Sequence, residues 1–302
     1  MKYQFSTREI NGSLLNILLS DRTTGKNIIW ATGDYEYLGK AYGAHSEITS
    51  SRLTNEDGDI IKPRILKSAQ YKKNRVREKA EIFTPSWVCN EQNNLIDEMW
   101  FGRANVFNKI VDAKNHVWQS TSEKILFDGG RSWQSYVEAK RLEITCGEAP
   151  YLVSVYDTVS GDMIPIENRI GLLDRKFRIV FENTSTESDW LEWSLKAIQS
   201  IYGYEFQGDN LFIARKNIFD SYVEYYRKRF NKSPCQTLLN EIAEIISWNL
   251  WQMDGLTNKI PYAESMGNLF DEPFDKNIYC IVKDWQNDTT LFFVKLFERR
   301  RR

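Results

Sequence analysis

The chain has 302 residues, of which 42% are apolar and 27% are charged, and its formal net charge is −1. This composition is typical of a soluble globular protein with one large or two small domains. No apolar run approaches the ~20 residues that a membrane-spanning helix needs, so we expect no association with a membrane. The near-neutral charge also lacks the basic excess that is typical of independent nucleic-acid binding.

The cysteines and histidines indicate no metal site. The four cysteines are far apart and form no C-x-x-C pair, and the chain has only two histidines. Zinc sites need such ligands at closer spacing. A reduced, cytoplasmic setting fits this cysteine usage, and the N-terminal segment lacks the apolar stretch of a signal peptide. Two basic clusters, at residues 72–79 and 299–302, are more typical of solvated segments than of phosphate sites.

Residues 1–75 are predicted to form a small β-rich region. Short apolar runs occur at residues 14–19 and 27–30, and turn signals such as Asn11-Gly12 separate them. Short apolar runs between turn signals are typical of strands.

Beyond residue 75, predicted helices alternate with predicted strands. The helices are expected at residues 86–97, 132–140, 190–201, 209–229 and 236–248, and the strands at residues 141–145, 202–206, 249–253, 277–282 and 291–296. Residues 101–135 are expected to be loop, and residues 153–185 to be irregular with a hairpin-like stretch at residues 178–181. The alternation indicates an α/β Rossmann-like fold, in which a mostly parallel sheet has helices on both faces. We therefore predict two units, 1–75 and 76–302, the second with an insertion at about residues 153–190.

Side chains that follow the predicted strands are candidates for a ligand site, because ligands bind at the carboxyl ends of the strands in such sheets. Gly147 follows the first strand and would let a ligand approach the backbone closely. Glu205 ends the second strand and could accept both hydroxyl protons of a ribose. Asp254 follows the third strand and could accept from an adenine amino group, and Asp284 and Trp285 follow the fourth. The order of these residue types predicts a site for a nucleoside-containing cofactor.

Four segments resemble the motifs of a known enzyme family. Residues 142–152 (LEITCGEAPYL) are similar to L-[DE]-P-A-C-G-S-G-x-F-L, the first motif of the DNA adenine amino-methyltransferases. Residues 202–215 (YGYEFQGDNLFIAR) and 249–256 (NLWQMDGL) resemble the second and third motifs, and residues 83–85 (FTP) resemble a segment that precedes them. This order is that of the gamma-type members. The resemblance implies an S-adenosylmethionine-dependent methyltransferase fold and a role in a restriction–modification or phage-defence system.

The resemblance also implies S-adenosylmethionine as the cofactor and DNA as the partner. The positions that would bind the cofactor are Thr84, Pro85, Glu143, Cys146, Gly147, Glu205, Phe206 and Asp254. Glu143 and Gly147 would hold the amino-acid end of the cofactor. Glu205 would bind its ribose, while Phe206 and Asp254 would contact its adenine. The Thr-Pro pair would close over the methionine end.

The chain departs from the family where the catalytic N-P-P-Y motif is expected. Asp284 and Trp285 follow the fourth predicted strand instead, and we predict that they form the catalytic pair. A hydrogen-bond acceptor would take the protons of the target amino group, and an aromatic ring would stack on the flipped base. Residues 258–262 (NKIPY) are a weaker match to N-P-P-Y, because they come too soon after Asp254. Ala149 also stands where the family has its second glycine.

Several functions stay open at the level of sequence. The first is a DNA adenine methyltransferase or its subunit, and the second is a catalytically degenerate fold that binds cofactor, DNA or protein. A nuclease subunit ranks last, because no P-D-x(n)-[DE]-x-K run occurs in a convincing context. A Rossmann-like domain without a cofactor is the fourth. We expect the part that recognises the base either to be absent or to come from the N-terminal region or from a partner, such as a restriction or specificity subunit.

Overall fold

The computed structural model of the protein describes residues 2–8, 10–55, 58–68, 75, 77, 84–263 and 278–298. Its α-helices are α1 (Gly12–Leu19), α2 (Ser86–Phe101), α3 (Trp133–Glu138), α4 (Leu172–Asn183), α5 (Glu187–Gln199), α6 (Gly208–Phe230), α7 (Gln236–Asn249) and α8 (Lys295–Glu298). Its strands are β1 (Thr54–Asn55), β2 (Gly58–Asp59), β3 (Asn108–Asp112), β4 (Val117–Ser120), β5 (Arg141–Glu143), β6 (Ile201–Glu205), β7 (Leu250–Gln252), β8 (Ile281–Asp284) and β9 (Thr289–Phe292).

Three strands form a parallel sheet in the order β5-β6-β7. The register puts Leu142 opposite Tyr202, and Gly203 opposite Leu250. The helices α4 and α5 connect β5 to β6, and α6 and α7 connect β6 to β7. Each connection leads to the next strand in the same direction across the sheet. Connections between parallel strands are right-handed, so the helices of both connections lie on the same face of the sheet. The predicted α/β architecture with a parallel sheet is confirmed at this level.

The alternation of side chains along the strands divides the interior into two cores. Ile201 and Leu250 belong to the main core, which they form with the helices. Tyr204 and Trp251 belong to a second core, together with Val282 of the β8–β9 hairpin. The prediction that helices cover both faces is therefore wrong for the described residues, because a hairpin covers the second face.

The fourth predicted strand runs in the opposite direction to the other three. β8 pairs with β9 in an antiparallel hairpin. The Cys280 Sγ lies 3.4 Å from the carbonyl oxygen of Gln252, at the carboxyl end of β7. At the amino end of β7, Trp285 Nε1 lies 2.7 Å from Asn249 Oδ1. β8 therefore ends at the amino edge of the parallel sheet, and the prediction of a mostly parallel sheet is wrong for β8 and β9.

The N-terminal region contains a helix where a strand was expected. The apolar run at residues 14–19 lies in α1, and Asn11 caps it by accepting a hydrogen bond from the Leu14 N–H at 2.9 Å. The four buried leucines of this helix are Leu14, Leu15, Leu18 and Leu19. Their spacing gives a helical stripe rather than a strand alternation. The prediction of a β-rich region is therefore wrong for the described residues, whose named strands there are the two-residue β1 and β2.

Two segments that were predicted to be irregular contain regular elements. Residues 108–120 form the antiparallel hairpin β3–β4. The segment predicted as an insertion contains α4, in which Leu173, Phe177 and Val180 are fully buried. Spacings of four and three residues are helical, so the short hairpin predicted at residues 178–181 is wrong, because these residues lie in α4. The predicted helices at α2, α5, α6 and α7 are confirmed.

The N-terminal region packs directly on the α/β part. α1 lies against α7, and the Gly208 N–H donates to the carbonyl oxygen of Trp30 at 3.0 Å. A Cβ on Gly208 would lie 2.0 Å from the Ile29 carbonyl oxygen, so this approach requires glycine. The predicted division of the chain into two units, 1–75 and 76–302, is not tested by these contacts and stays a prediction.

Candidate functional site

A cleft of about 830 Å³ opens at the carboxyl ends of β5 and β6. Its lining includes six of the eight residues predicted to bind the cofactor: Thr84, Glu143, Cys146, Gly147, Glu205 and Phe206. Pro85 adjoins this set as the residue directly before α2. The candidate site therefore brings together residues that are more than 120 positions apart in the sequence.

The loop after β5 lies across the end of β6. The Cys146 N–H donates to the Tyr204 carbonyl oxygen at 2.8 Å, and the Gly147 N–H donates to Glu205 Oε2 at 2.9 Å. A Cβ on Gly203 would lie 3.3 Å from the Cys146 Sγ, so the absence of a side chain there allows the loop to approach the strand. Two motifs predicted separately are thus joined by direct hydrogen bonds.

The same loop takes an unusual backbone conformation. Thr145, Gly147 and Ala149 have φ values of 47°, 53° and 61°. Positive φ is uncommon for alanine and a strong outlier for a β-branched threonine. A helical turn starts at Pro150, where the Val153 N–H donates to the Ala149 carbonyl oxygen at 3.0 Å. Ala149 therefore keeps the left-handed conformation that a glycine would adopt at this position.

Two carboxylates from neighbouring strands face the cleft. Glu143 accepts long hydrogen bonds from the N–H groups of Tyr151 (3.4 Å) and Leu152 (3.2 Å). Glu205 accepts from the N–H groups of Gly147 (2.9 Å) and Gln207 (3.1 Å). Burial raises the pKa of Glu143 to about 8, and the charge of Glu205 adds to this effect. One carboxyl of the pair is thus largely protonated at neutral pH.

Further acceptors line the cleft beside the two carboxylates. Asn93 Oδ1 and Gln207 Oε1 are buried and have no hydrogen-bond partner among the described residues. The Asn93 amide is held in place because its Nδ2 donates to the carbonyl oxygens of Tyr151 and Ile170, at 3.1 and 3.0 Å. Carboxylate and amide oxygens suit a ligand with hydroxyl, amino or ammonium donors. They disfavour a phosphate group, which is itself an anion.

Two aromatic rings lie next to Phe206, outside the residues that line the cleft. The rings of Phe206 and Tyr262 meet edge to face, with centroids 5.4 Å apart. The ring of His45 lies 4.4 Å from that of Tyr262. Tyr262 belongs to the NKIPY segment, the weaker sequence match, and the structure brings it beside a cleft residue. Sequence reasoning gave His45 no role here, since it lies far away in the chain.

Asp254 does not join the cleft. Its Oδ1 accepts from the Leu256 N–H at 2.9 Å, and its own N–H donates to the Lys259 carbonyl oxygen at 2.8 Å. The carboxylate therefore stabilises the turn that follows β7. The structure thus places this predicted cofactor residue outside the residues that line the cleft.

Asp284 and Trp285 lie at the opposite edge of the sheet from the cleft. Asp284 forms an ion pair with Lys140, which precedes β5, at 3.3 Å. Hydrogen bonding from Asn287, together with Lys140, lowers the pKa of Asp284. Trp285 donates to Asn249, at the end of α7 and directly before β7. The structure does not bring the predicted catalytic pair to the predicted cofactor residues, because β8 runs in the opposite direction to β7.

A buried charge cluster holds the start of α6 beside the cleft. Asp209 pairs with Arg75 at 2.7 Å and with Lys67 at 3.0 Å, and it accepts from the Tyr35 hydroxyl at 2.8 Å. Burial alone would raise the pKa of Asp209, but Arg75 and Lys67 lower it well below its usual range. Arg75 is only 2% exposed, so the prediction of a solvated basic segment is wrong at this residue.

Some predicted features lie outside the described residues. They are Phe83 of the FTP segment, most of the basic cluster at residues 72–79, and the basic tail at residues 299–302. Within the described ranges, no group of His, Cys, Asp and Glu side chains is arranged to hold a metal ion. No helix of that part of the chain combines the length and the apolar character that crossing a membrane requires.

Comparison with known proteins identifies no relative. No family model, curated protein or solved structure matches the chain.

Proposed function

We propose that the chain binds S-adenosylmethionine in the cleft at the carboxyl ends of β5 and β6. The observation that carries this proposal is the convergence of six predicted cofactor residues on one cleft. These residues come from the loop before α2, from β5 and its following loop, and from the end of β6. Such convergence supports a ligand site at the edge where parallel α/β sheets bind ligands.

The chemistry of the cleft fits this cofactor. Glu205 would accept from the ribose hydroxyls, and Phe206 would lie against the adenine ring. Glu143 and Asn93 would accept from the ammonium group, and the Thr84 hydroxyl would donate to the carboxylate. When bound, S-adenosylmethionine supplies an electrophilic methyl group. Two carboxylates beside the ligand also favour this cofactor over nucleotides that carry phosphates.

Calorimetric titration with S-adenosylmethionine tests the proposal. We expect micromolar binding by the unaltered chain and a loss of about a hundredfold in Glu205→Gln, because the ribose hydroxyls lose a charged acceptor. Glu182→Gln is a matched control, since Glu182 accepts a backbone N–H from Ile125 at 2.8 Å but does not line the cleft. Absence of binding at millimolar cofactor, or full binding by Glu205→Gln, would contradict the proposal.

A second candidate function is methyl transfer to the adenine amino group of DNA, within a restriction–modification or phage-defence system. The contact between Tyr262 and Phe206 favours it, because it places a second aromatic ring beside a residue that lines the cleft. We therefore propose Tyr262 as the stacking residue in place of Trp285.

Transfer of a labelled methyl group to unmethylated DNA tests this second candidate. We expect Tyr262→Ala to lose transfer, while Trp285→Phe and Asp284→Asn retain it. The opposite pattern would restore the pair predicted from sequence. Cofactor binding without transfer to any DNA would instead support a catalytically degenerate subunit that acts with a restriction or specificity partner.

A further inference from the structure

We propose that the outward face of α2, together with β5 and the loop that follows it, is a docking surface for a partner protein that presents a basic amphipathic segment. The surface consists of five exposed apolar side chains, called the α2 patch: Leu95, Ile96, Met99, Leu142 and Ile144. A partner surface here goes beyond the proposed function, because none of the five residues is assigned to S-adenosylmethionine.

The helix α2 has the reverse of the usual distribution of polar and apolar side chains. A helix on the surface of a globular protein normally buries an apolar face and exposes a polar one. The buried face of α2 is largely polar instead: Asn90 accepts from the Arg175 guanidinium at 2.9 Å, and Asp97 forms an ion pair with it. On the outward face, Leu95 is exposed and Met99 is 84% exposed. Packing within the described residues therefore does not account for the apolar character of this face.

The exposed side chains form one patch. Leu95 and Ile96 come four and three residues before Met99, so the three lie on one face of the helix. Ile96 also lines the cleft together with Leu142 and Ile144, both of which are exposed. The patch therefore continues from α2 to the mouth of the cleft. Isolated apolar side chains are common on protein surfaces, whereas contiguous exposed patches are typical of interaction sites.

The charges on α2 favour a basic partner. Glu91 and Glu98 are exposed on this helix, and neither has an ion-pair partner among the residues that the structure describes. The sequence of α2 contains no lysine, arginine or histidine. The first basic residue after the helix, Arg103, pairs with Asp128 at 2.8 Å. A partner that places lysine or arginine beside its own apolar side chains would supply the missing counterions.

Other helices of the chain supply such counterions themselves. In α4, Arg178 pairs with Glu182, and in α5, Glu192 pairs with Lys196. Both pairs join residues four positions apart on one helix face. A nucleic acid does not fit the α2 patch, because the two unpaired glutamates would repel its phosphates. Apolar and acidic side chains together thus indicate an amphipathic protein segment with basic residues.

Fluorescence anisotropy with labelled synthetic peptides tests this surface. The first probe is a helical peptide of about 18 residues, or five turns, with one stripe of leucines and lysines elsewhere; the second has glutamate in place of lysine. We expect the unaltered chain to bind the lysine peptide at least about tenfold more tightly than the glutamate peptide. Met99→Lys should weaken binding of the lysine peptide by at least about tenfold, because it adds a like charge to the patch. Leu256→Lys is a matched control that should leave binding unchanged, since Leu256 is 95% exposed and lies outside the patch.

Reversal of the charges on both partners is the decisive experiment. The double variant Glu91→Lys/Glu98→Lys should lose affinity for the lysine peptide and bind the glutamate peptide, because the apolar patch is unchanged. The altered side chains are exposed, so circular dichroism should show the same fold in each variant. Failure of the reversed pair to bind, or equal binding of the lysine peptide by Met99→Lys and the unaltered chain, would overturn the proposal.

Two other occupants of the patch are outcomes of the same test. Tighter binding of a short DNA duplex than of the lysine peptide would overturn the proposal in favour of nucleic acid. A dimer of the unaltered chain in analytical ultracentrifugation that Met99→Lys converts to a monomer, without binding of either peptide, would overturn it in favour of a second copy. Titration with S-adenosylmethionine is a separate measurement, so the cofactor site and the partner surface can fail independently.

Discussion

The carboxyl and amino edges of the parallel sheet hold their charged side chains in different ways. At the carboxyl edge, Asp209 is fully buried between Lys67 and Arg75. At the amino edge, Asp284 pairs with Lys140, whose side chain is 49% exposed. Solvent screens an exposed ion pair, whereas removing one partner of a buried pair leaves an uncompensated charge. The carboxyl edge therefore depends on its charges far more than the amino edge does.

Strand direction explains which residues belong to each edge. Glu143 and Glu205 end strands that run the same way, and they meet in one cleft. Asp284 ends a strand that runs the opposite way, and it lies against the residues that precede β5. A polar residue after a strand thus contributes to a shared site only when its strand is parallel to the others.

The largest effect on stability is expected at the carboxyl edge of the sheet. Asp209→Asn should lower the free energy of unfolding by about 3–5 kcal/mol, because Lys67 and Arg75 lose their buried counterion. Urea unfolding followed by circular dichroism measures this loss at neutral pH. The pKa of Asp209 is lowered in the fold, so its contribution is lost as pH falls and the difference between the two proteins should shrink in acid. A loss below about 1 kcal/mol would show that the cluster contributes no more than a surface pair.

A smaller effect is expected for the hydrogen bond that fixes the hairpin at the amino edge. Trp285→Phe should cost about 1–2 kcal/mol, because it leaves the buried Asn249 Oδ1 without its donor at 2.7 Å. Trp87→Phe is a matched control, since Trp87 stacks on His116 and its indole nitrogen has no hydrogen-bond partner among the described residues. Equal losses in the two variants would mean that ring size, rather than the hydrogen bond, matters.

Substitution of the buried carboxyl of Glu143 is expected to stabilise the fold, whereas the substitutions above destabilise it. Its pKa is raised to about 8, so the stability of the fold should fall as pH rises from about 5 through 8. Glu143→Gln cannot ionise and should raise the unfolding midpoint by about 2–4 °C at pH 9, with the difference fading towards pH 5. Differential scanning calorimetry across this range checks the prediction. A midpoint difference that is constant with pH would contradict it.

The smallest effect should come from the exposed pair at the amino edge. Asp284→Asn is expected to change the free energy of unfolding by less than about 1 kcal/mol, because solvent screens its pairing with Lys140. The same urea titration that is used for Asp209→Asn measures this difference. A loss as large as that of Asp209→Asn would break the contrast between the two edges.

The sequence predicted the long helices and the parallel strands because their apolar periodicity is strong. It failed where the periodic signal is short or ambiguous. The leucine run of α1 is compatible with both a buried strand and a helix, and the choice is made by the Asn11 cap and by packing on α7. The apolar positions of α4 are separated by charged residues that the fold buries, such as Arg175 and Lys176.

The candidate site was predictable only for residues whose sequence positions, at the ends of successive parallel strands, imply that they lie close together. Gly147 follows β5 and Glu205 ends the neighbouring parallel strand β6, so their proximity could be inferred from the alternating pattern. The direction of β8 could not be inferred, because an apolar strand has the same pattern in either direction. For the same reason the pair at residues 284–285 was assigned to the wrong edge. The contact of His45 with Tyr262 joins distant loops and left no signal in the sequence.

The positive φ of Ala149 affects which kind of search can find this loop in other proteins. A glycine there would relieve strain. It would also give the unfolded chain more conformational freedom, which lowers the stability of the fold by about 0.4–1 kcal/mol. These two effects oppose each other, so Ala149→Gly is close to neutral, and either residue can occupy the position during divergence. A search pattern written in residue letters treats the alanine as a mismatch. A pattern written in backbone torsions, with left-handed values at positions 145, 147 and 149, would retain it.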